Sequence, residues 1–312
     1  MQTKAKLAVH QPLLFKHSSD LKNNHQKNII IESNSIEGTD RNQVFASSLT
    51  ALELDLVYAI DRNQFELYYQ PKVDAKKDLI IGAEALIRWN HPKLGLILPM
   101  DFIPLAEKIG FINKIGKWVK KTACAQNKAW QEANLPAIPV SINLSASRFM
   151  EKDLVISIQE TLEETQLEAQ YLEIEITETS ILKNEEIVFS VLDELKNLGI
   201  KIALDDFGTG YSSLSHLHHF NGKIDILKID RSFIKDLSIA TQEDANFIVH
   251  MIIQLSNQLK MDVIAEGVET LEQLEVLQNY NCNTVQGYLY SKPLPANQFA
   301  DLLKKQRIDP IR

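Results

Sequence analysis

From Phe65 onwards the chain alternates short apolar runs of strand length with stretches of helical period, and this alternation restricts the fold more than any other feature. Strands are predicted at Phe65 to Gln70, Leu79 to Trp89, Val140 to Asn143, Tyr171 to Ile176, Lys201 to Asp205, Ile224 to Ile229, Met261 to Ala265 and Thr284 to Gln286. Helices are predicted at 101–109, 113–131, 151–165, 185–198, 241–260, 270–280 and 295–306. Gly110 and Gly199 fall where helix C-caps belong, and Asp101 where an N-cap belongs. Strands that alternate with helices imply a mainly parallel sheet covered by a helical layer. About eight strands over about 260 residues predict a closed (β/α)8 barrel of TIM-like architecture, an α/β fold, rather than an open doubly wound sheet. No Gly-x-Gly-x-x-Gly opens a helix, so a dinucleotide fold has no support.

Residues 1–44 differ from the rest. Lys, Asn, Ser, Gln and His dominate them, and the apolar runs Leu13 to Phe15 and Ile29 to Ile31 are short and isolated. They read as a flexible tail or a reduced regulatory extension, with a strand near Ile29 left open. Residues 45–312 are the expected folded domain, opened by a helix on which Leu49, Leu52, Leu56, Val57 and Ile60 recur at helical spacing. A length of 312 residues suits one large barrel with such an extension.

The formal net charge of −8 argues against a duplex DNA-binding surface, which needs clustered Lys and Arg. It is compatible with a nucleotide ligand, because a metal ion supplies the positive charge that phosphates require. Cys124 and Cys282 are the two cysteines, and both sit in apolar contexts. They read as buried thiols in a reducing compartment, not as a disulfide or a zinc site. No stretch approaches the roughly 18 apolar residues of a membrane span. Lys4 and Lys6 precede an apolar run broken by His10 and Gln11, so no secretory signal is expected and the expected location is cytoplasmic.

The polar residues fall at strand ends. Glu84 interrupts Ile80 to Ile87, Asn143 closes Val140 to Asn143, and Glu173, Glu175 and Glu178 punctuate Leu172 to Glu178. Asp205 and Asp206 follow Ile202 to Leu204, Lys228 and Asp230 flank Ile229, Glu266 follows Val263 to Ala265, and Gln286 ends the last strand. In a (β/α)8 barrel such ends converge on one face, where the active site lies. That many carboxylates cannot all ionise side by side without compensation, and oxygen-only ligands favour Mg2+ or Mn2+ over zinc. Adjacent Asp205 and Asp206 suit a pair of ions, the arrangement that clamps a phosphodiester for in-line hydrolysis. Singly, each residue has a plainer reading. Glu84 alone reads as a barrel-rim salt bridge, Asp205 and Asp206 before Phe-Gly-Thr-Gly as a turn, and Lys228 with Asp230 as a surface pair. His216, His218 and His219 cannot all face one way and read as loop or helix surface. Together the regular placement at strand ends favours a site.

Several blocks stand in a fixed order: Tyr69-Gln70-Pro71-Lys72, Glu84-Ala85-Leu86-Ile87-Arg88-Trp89, Phe102-Ile103-Pro104-Leu105-Ala106-Glu107, Asn143-Leu144-Ser145 and Glu175-Ile176-Thr177-Glu178. Asp205-Asp206-Phe207-Gly208-Thr209-Gly210, Leu227-Lys228-Ile229-Asp230, Glu266-Gly267-Val268-Glu269 and Gln286-Gly287-Tyr288 follow. In that order they resemble the EAL phosphodiesterase family over about residues 46–306. The resemblance implies a modified barrel that hydrolyses the second messenger cyclic di-GMP to linear pGpG. It implies Glu84, Asn143, Glu175 and Asp205 as ligands of one metal ion, with Asp205, Asp206 and also Glu266 serving a second. Lys228 would position the attacking water or stabilise the phosphorane, and Glu266 is the candidate general base. Gln70, Arg88 and Gln286 resemble substrate contacts, and Glu178 the anchor of the loop behind Asp206. The implied partners are cyclic di-GMP and a second copy of the chain in a homodimer, with a regulatory partner left open.

The chain departs from the family pattern in places. His218 to Lys223 is about two residues longer than the usual connection ahead of the Lys228 strand, near the family's dimer contact. Asn281 and Asn283 stand where Gly and Asp are commoner. No diguanylate cyclase motif or sensor domain is recognisable beside the barrel. Two other classes of function stay open: a module that binds cyclic di-GMP without turnover, and a protein-interaction module independent of nucleotide. The complete ligand set favours catalysis.

Overall fold

The structure is a computed structural model that describes residues 50–182, 185–208, 222–238 and 245–311. The expected N-terminal extension and the three histidines at 216, 218 and 219 lie outside the described residues. So does most of the lengthened segment, of which Gly222 and Lys223 are described.

Ten strands make one sheet: β1 (Phe65–Asp74), β2 (Leu79–His91), β3 (Gly95–Ile97), β4 (Val140–Asn143), β5 (Leu172–Thr177), β6 (Lys201–Phe207), β7 (Ile226–Ile229), β8 (Asp262–Glu266), β9 (Thr284–Gln286) and β10 (Leu294–Pro295). From β2 the ladder runs parallel through β4, β5, β6, β7, β8 and β9. β1 then closes the ring, pairing antiparallel with both β9 and β2. The result is the expected closed eight-stranded barrel with one strand reversed.

The reversal has a local cause. Only Ala75 to Asp78 connect β1 to β2, and a parallel neighbour needs a crossover of a dozen or more residues. The turn is built for the purpose: Asp74 Oδ1 accepts from the Lys76 and Lys77 amides, and Asp78 takes φ +54°. β3 and β10, missed in the sequence, are antiparallel additions to β2 and β1 outside the ring.

Helices cover the barrel at Pro99–Lys108, Ile112–Glu132, Leu154–Thr165, Glu185–Asn197, Ala245–Gln258, Leu271–Asn279 and Ala296–Lys305. Gly110 and Gly199 stand past their helices at φ +71° and +92°, as the C-cap reading expects. Asp101 is not an N-cap. Pro99 begins that helix, its N-cap is Leu98, and Asp101 sits in the first turn, where its negative charge still suits the helix dipole. The helices Glu178–Leu182 and Arg231–Ile234 were not legible, being too short to show a period.

The main core lies between barrel and helices, where Phe65 stacks within 5.6–6.1 Å of Trp89, Phe102 and Trp118, and Trp130 bridges Tyr69 and Phe299 at 4.8 and 5.1 Å. Cys124 and Cys282 are buried and unpaired, and burial pushes both thiols up to about 12. Among the described residues no helix is long and apolar enough to cross a membrane.

Candidate active site

Each parallel strand of the ring carries one polar side chain to the same end: Glu84 on β2, Asn143 on β4, Glu175 on β5, Asp205 on β6, Lys228 on β7, Glu266 on β8 and Gln286 on β9. Neighbours in register bring them together, Asn143 opposite Glu175 and Glu266 opposite Gln286. Reversed β1 contributes from its middle, with Gln70 opposite Glu84.

Amides orient Glu84. Asn143 Nδ2 donates to its Oε1 at 2.9 Å, and Gln286 Nε2 donates to its Oε2 at 2.6 Å. Gln286 also donates to Gln70 Oε1 at 3.2 Å, while Gln70 Nε2 donates to the Ser291 carbonyl. The three amide side chains therefore form one connected frame beside the carboxylate.

Lys228 is at the centre. Its side chain is 1% exposed, and its Nζ lies 2.6 Å from Glu175, 2.7 Å from Glu266, 3.1 Å from Asp205 and 3.8 Å from Glu84. The surface-pair reading of Lys228 with Asp230 is thereby excluded. Asp230 instead caps the helix Arg231–Ile234, its Oδ1 accepting from the Ser232 amide at 2.9 Å.

Adjacent residues of a regular strand point to opposite faces, so Asp205 and Asp206 could not share a site on an ideal β6. The β6–β7 register slips between Leu204 and Phe207, and Asp206 takes the left-handed φ of +54°. Asp tolerates that conformation because its short side chain bonds locally, and the Asp206 amide donates to Asp205 Oδ1 at 3.0 Å. The bulge leaves the carboxylates of Asp205, Asp206 and Glu266 with oxygens within 4.8 Å of one another.

The electrostatics follow from burial. Burial and neighbouring carboxylates push the carboxyls of Glu84, Asp205 and Asp206 upward, and Glu266 up to about 8. Burial also opposes ionisation of Glu175, yet Lys228 and Lys72 hold its carboxyl down at about 2. Burial disfavours the Lys228 ammonium too, but Glu175 and Glu266, then Glu84 and Asp205, hold it well above its ordinary value. The carboxyls outnumber the ammonium groups, and the donors are oxygens throughout. That donor set fits a hard divalent cation.

The family model for the EAL domain matches residues 53–293. The chain belongs to the EAL domain family. MucR of Pseudomonas aeruginosa, named a bifunctional diguanylate cyclase/cyclic di-GMP phosphodiesterase, is 43% identical over 244 residues, 78% of this chain and 35% of MucR. NbdA of the same organism, named a cyclic di-GMP phosphodiesterase, is 39% identical over 266 residues, 85% of this chain and 34% of NbdA. The chain spans about a third of the length of these relatives. A solved PaMucR phosphodiesterase in complex with c-di-GMP matches with TM-score 0.75 at 42% identity, covering 80% of this chain and 100% of that one. The EAL enzyme Bd1971, bound to cAMP and cyclic-di-GMP, matches with TM-score 0.76 at 33% identity, covering 85% and 72%.

The remaining expected residues of this EAL domain are less closely gathered. Arg88 is half-buried at the rim, its Nη1 donating to the Ile87 carbonyl and its guanidinium 5.4 Å over the Tyr68 ring. Glu178 is buried at the start of its short helix, and neither carboxyl oxygen has a hydrogen-bond partner among the described residues. The loop behind Asp206 that it was expected to anchor lies, from residue 209 on, outside the described residues. A cavity of about 510 Å³ adjoins the ring at Asn143, with Leu86, Met100, Ile103 and Ser145 in its lining.

Sequence reasoning passed over Lys72. The signal that could have found it is its place two residues from Gln70, and so on the same strand face. Glu173, which the strand-end pattern groups with Glu175, lies one layer deeper and pairs with Lys72 at 2.7 Å.

Proposed function

We propose that this EAL domain hydrolyses cyclic di-GMP to linear pGpG with Mg2+ or Mn2+ bound at the carboxylate ring. One observation carries the reading: a buried Lys228 ringed by Glu84, Glu175, Asp205 and Glu266, with Asp206 turned to the same end by a bulge. Relatives named as cyclic di-GMP phosphodiesterases support the substrate.

In this reading Glu84, Asn143, Glu175 and Asp205 would hold one ion, and Asp205, Asp206 and Glu266 would serve the other. Bound divalent ions polarise the phosphoryl oxygens and make water a stronger nucleophile near neutral pH. The protein's own groups do the rest. Lys228 stays protonated and sets a fixed positive charge against the oxygens of the phosphorus under attack, where negative charge builds. Glu266 accepts the proton of the attacking water. As the new P–O bond forms, the bond from phosphorus to the ribose 3′-oxygen breaks and that oxygen takes up a proton, leaving the 5′-phosphate of pGpG. Gln70 and Gln286 line the approach beside Glu84, and Arg88 at the rim meets a phosphate of the dinucleotide.

The test is direct. Purified chain is incubated with cyclic di-GMP and Mg2+ or Mn2+, with an EDTA control, and pGpG is followed by chromatography. Metal-dependent pGpG is expected. Tight nucleotide binding with no product in either metal would replace the enzyme reading with that of an effector.

A further inference from the structure

Beneath the ring of site residues, strand alternation sets a second inward layer two residues away. On β6, β7 and β8 this layer is apolar: Ala203, Ile226 and Ile264 form a small cluster separate from the main core. On β1 and β5 it is charged. Lys72 and Glu173 meet there at 2.7 Å, their side chains 3% and 5% exposed. Lys72 Nζ also reaches Glu175 Oε1 at 3.0 Å, while Glu175 Oε2 is held by Lys228 at 2.6 Å. A chain of alternating charge, Glu173 to Lys72 to Glu175 to Lys228, thus runs from the barrel interior into the site.

The backbone makes room for it. Gly82 on β2 stands opposite Lys72, and a Cβ there would lie 3.3 Å from Lys72 Cδ and 3.4 Å from the Pro139 carbonyl oxygen. A charge in this layer is costly, and a buried ion pair is often replaceable by well-packed apolar residues without loss of stability. The same layer on the facing strands is apolar. Stability alone therefore does not account for an ammonium at this position, and its contact with Glu175 does.

We propose that Lys72 is a positioning residue for the cation-dependent reaction: it fixes the Glu175 carboxylate by one oxygen so that the other is presented in a single orientation at the site beside Lys228. The inference rests on the phosphodiesterase reading above. Glu173 balances the charge of Lys72 and touches no group of the site.

The test compares the parent chain, Glu173→Gln, and Lys72→Met combined with Glu173→Gln. Mn2+ affinity is measured by titration calorimetry on metal-free protein, beside thermal unfolding and kcat and KM for cyclic di-GMP. Glu173→Gln leaves the Lys72–Glu175 contact in place, so parental Mn2+ affinity and kcat are expected. The double variant differs from it by Lys72 alone. Its Mn2+ affinity and its kcat are each expected to fall by about tenfold or more, with KM within about twofold and unfolding still cooperative. A double variant that matches Glu173→Gln in affinity and kcat overturns the proposal. So does a Glu173→Gln that loses as much as the double variant, because any disturbance of the pair would then suffice. A second measurement needs no variant and stands even if the double variant fails to fold. In a crystal structure of the parent with Mn2+, Lys72 Nζ is expected to stay within hydrogen-bonding distance of Glu175 Oε1, and a Glu175 that has left Lys72 overturns the assignment. Should the parent bind Mn2+ yet yield no pGpG, the phosphodiesterase reading fails, while the Mn2+ affinities still decide the role of Lys72.

Discussion

Glu175 lies between two ammonium groups, with Lys228 Nζ 2.6 Å from one carboxylate oxygen and Lys72 Nζ 3.0 Å from the other, and it is fully buried. Its charge is compensated within the protein. Among the described residues Glu84, Asp205 and Glu266 gather around Lys228, and their carboxyls, like that of Asp206, are pushed upward. The difference separates one carboxylate paired on both oxygens from a group whose carboxyls are pushed upward, the group that the proposed cations would neutralise.

Lys228→Ala removes the ammonium that lies against Glu84, Glu175, Asp205 and Glu266. The expected result is a fall in kcat of about 10²–10³-fold with a much smaller change in KM, since the lost charge acts where negative charge develops. Steady-state kinetics check it, and a change confined to KM would reassign Lys228 to ground-state binding.

Glu84→Ala removes an expected ligand, the acceptor of the Asn143 amide and one of the two acceptors of the Gln286 amide. Turnover is expected to be abolished at saturating Mn2+. Substantial pGpG formation by this variant would remove Glu84 from the metal assignment.

Asp206 can be divided into its two contributions. Asp206→Asn keeps a side chain that tolerates φ +54° and loses the charge, so thermal stability no lower than the parent's, with severely reduced turnover, is expected. Asp206→Val adds a β-branched side chain in the left-handed region and is expected to lose a further ~1–2 kcal/mol of stability. Equal melting temperatures for the two variants would contradict the bulge geometry.

Stability without divalent ions should depend on pH in a definite direction. The Glu266 carboxyl rises from 4.5 in the unfolded chain to about 8 in the fold, so the folded state binds more protons within that window. Stability therefore falls as pH rises through it, and Glu84, Asp205 and Asp206 act in the same sense. Glu175 does not offset this, because its lowered carboxyl loses its contribution only as pH drops from 4.5 towards about 2. Thermal melts in EDTA are expected to show a lower Tm near pH 8 than near pH 5, and Mn2+ at a hundredfold excess over Kd is expected to raise the Tm again at the higher pH through about 2.7 kcal/mol of added stability. A Tm that is flat across this window in EDTA would contradict the uncompensated carboxylates.

The barrel was legible because its cause is local. Strand-length apolar runs separated by amphipathic helical stretches can bury their faces in few ways, and the period of each run shows in the order of residues alone. β4 and β9 fall where expected, and the helices lie within a few residues of their predicted ends. The gathering of polar residues at strand ends was legible for the same reason, since a parallel barrel carries every such end to one face. Recognition of the family rested on the order of the motifs, and that too belongs to the linear chain.

What the linear pattern could not contain are relations between strands distant in sequence. Lys72 and Glu173 are 101 residues apart, and their meeting depends on β1 running against its neighbours and on the stagger that sets one inward layer beneath another. Period-two alternation says that Lys72 shares a face with Gln70, but not which carboxylates that face meets. The bulge at Asp206 is likewise a matter of register between β6 and β7, and on an ideal strand its carboxylate would have turned away from Asp205. Individual residues supplied the charges of this site. Strand direction and register determined which charges lie within a hydrogen bond of one another, and therefore which carboxyls are held down and which are pushed upward.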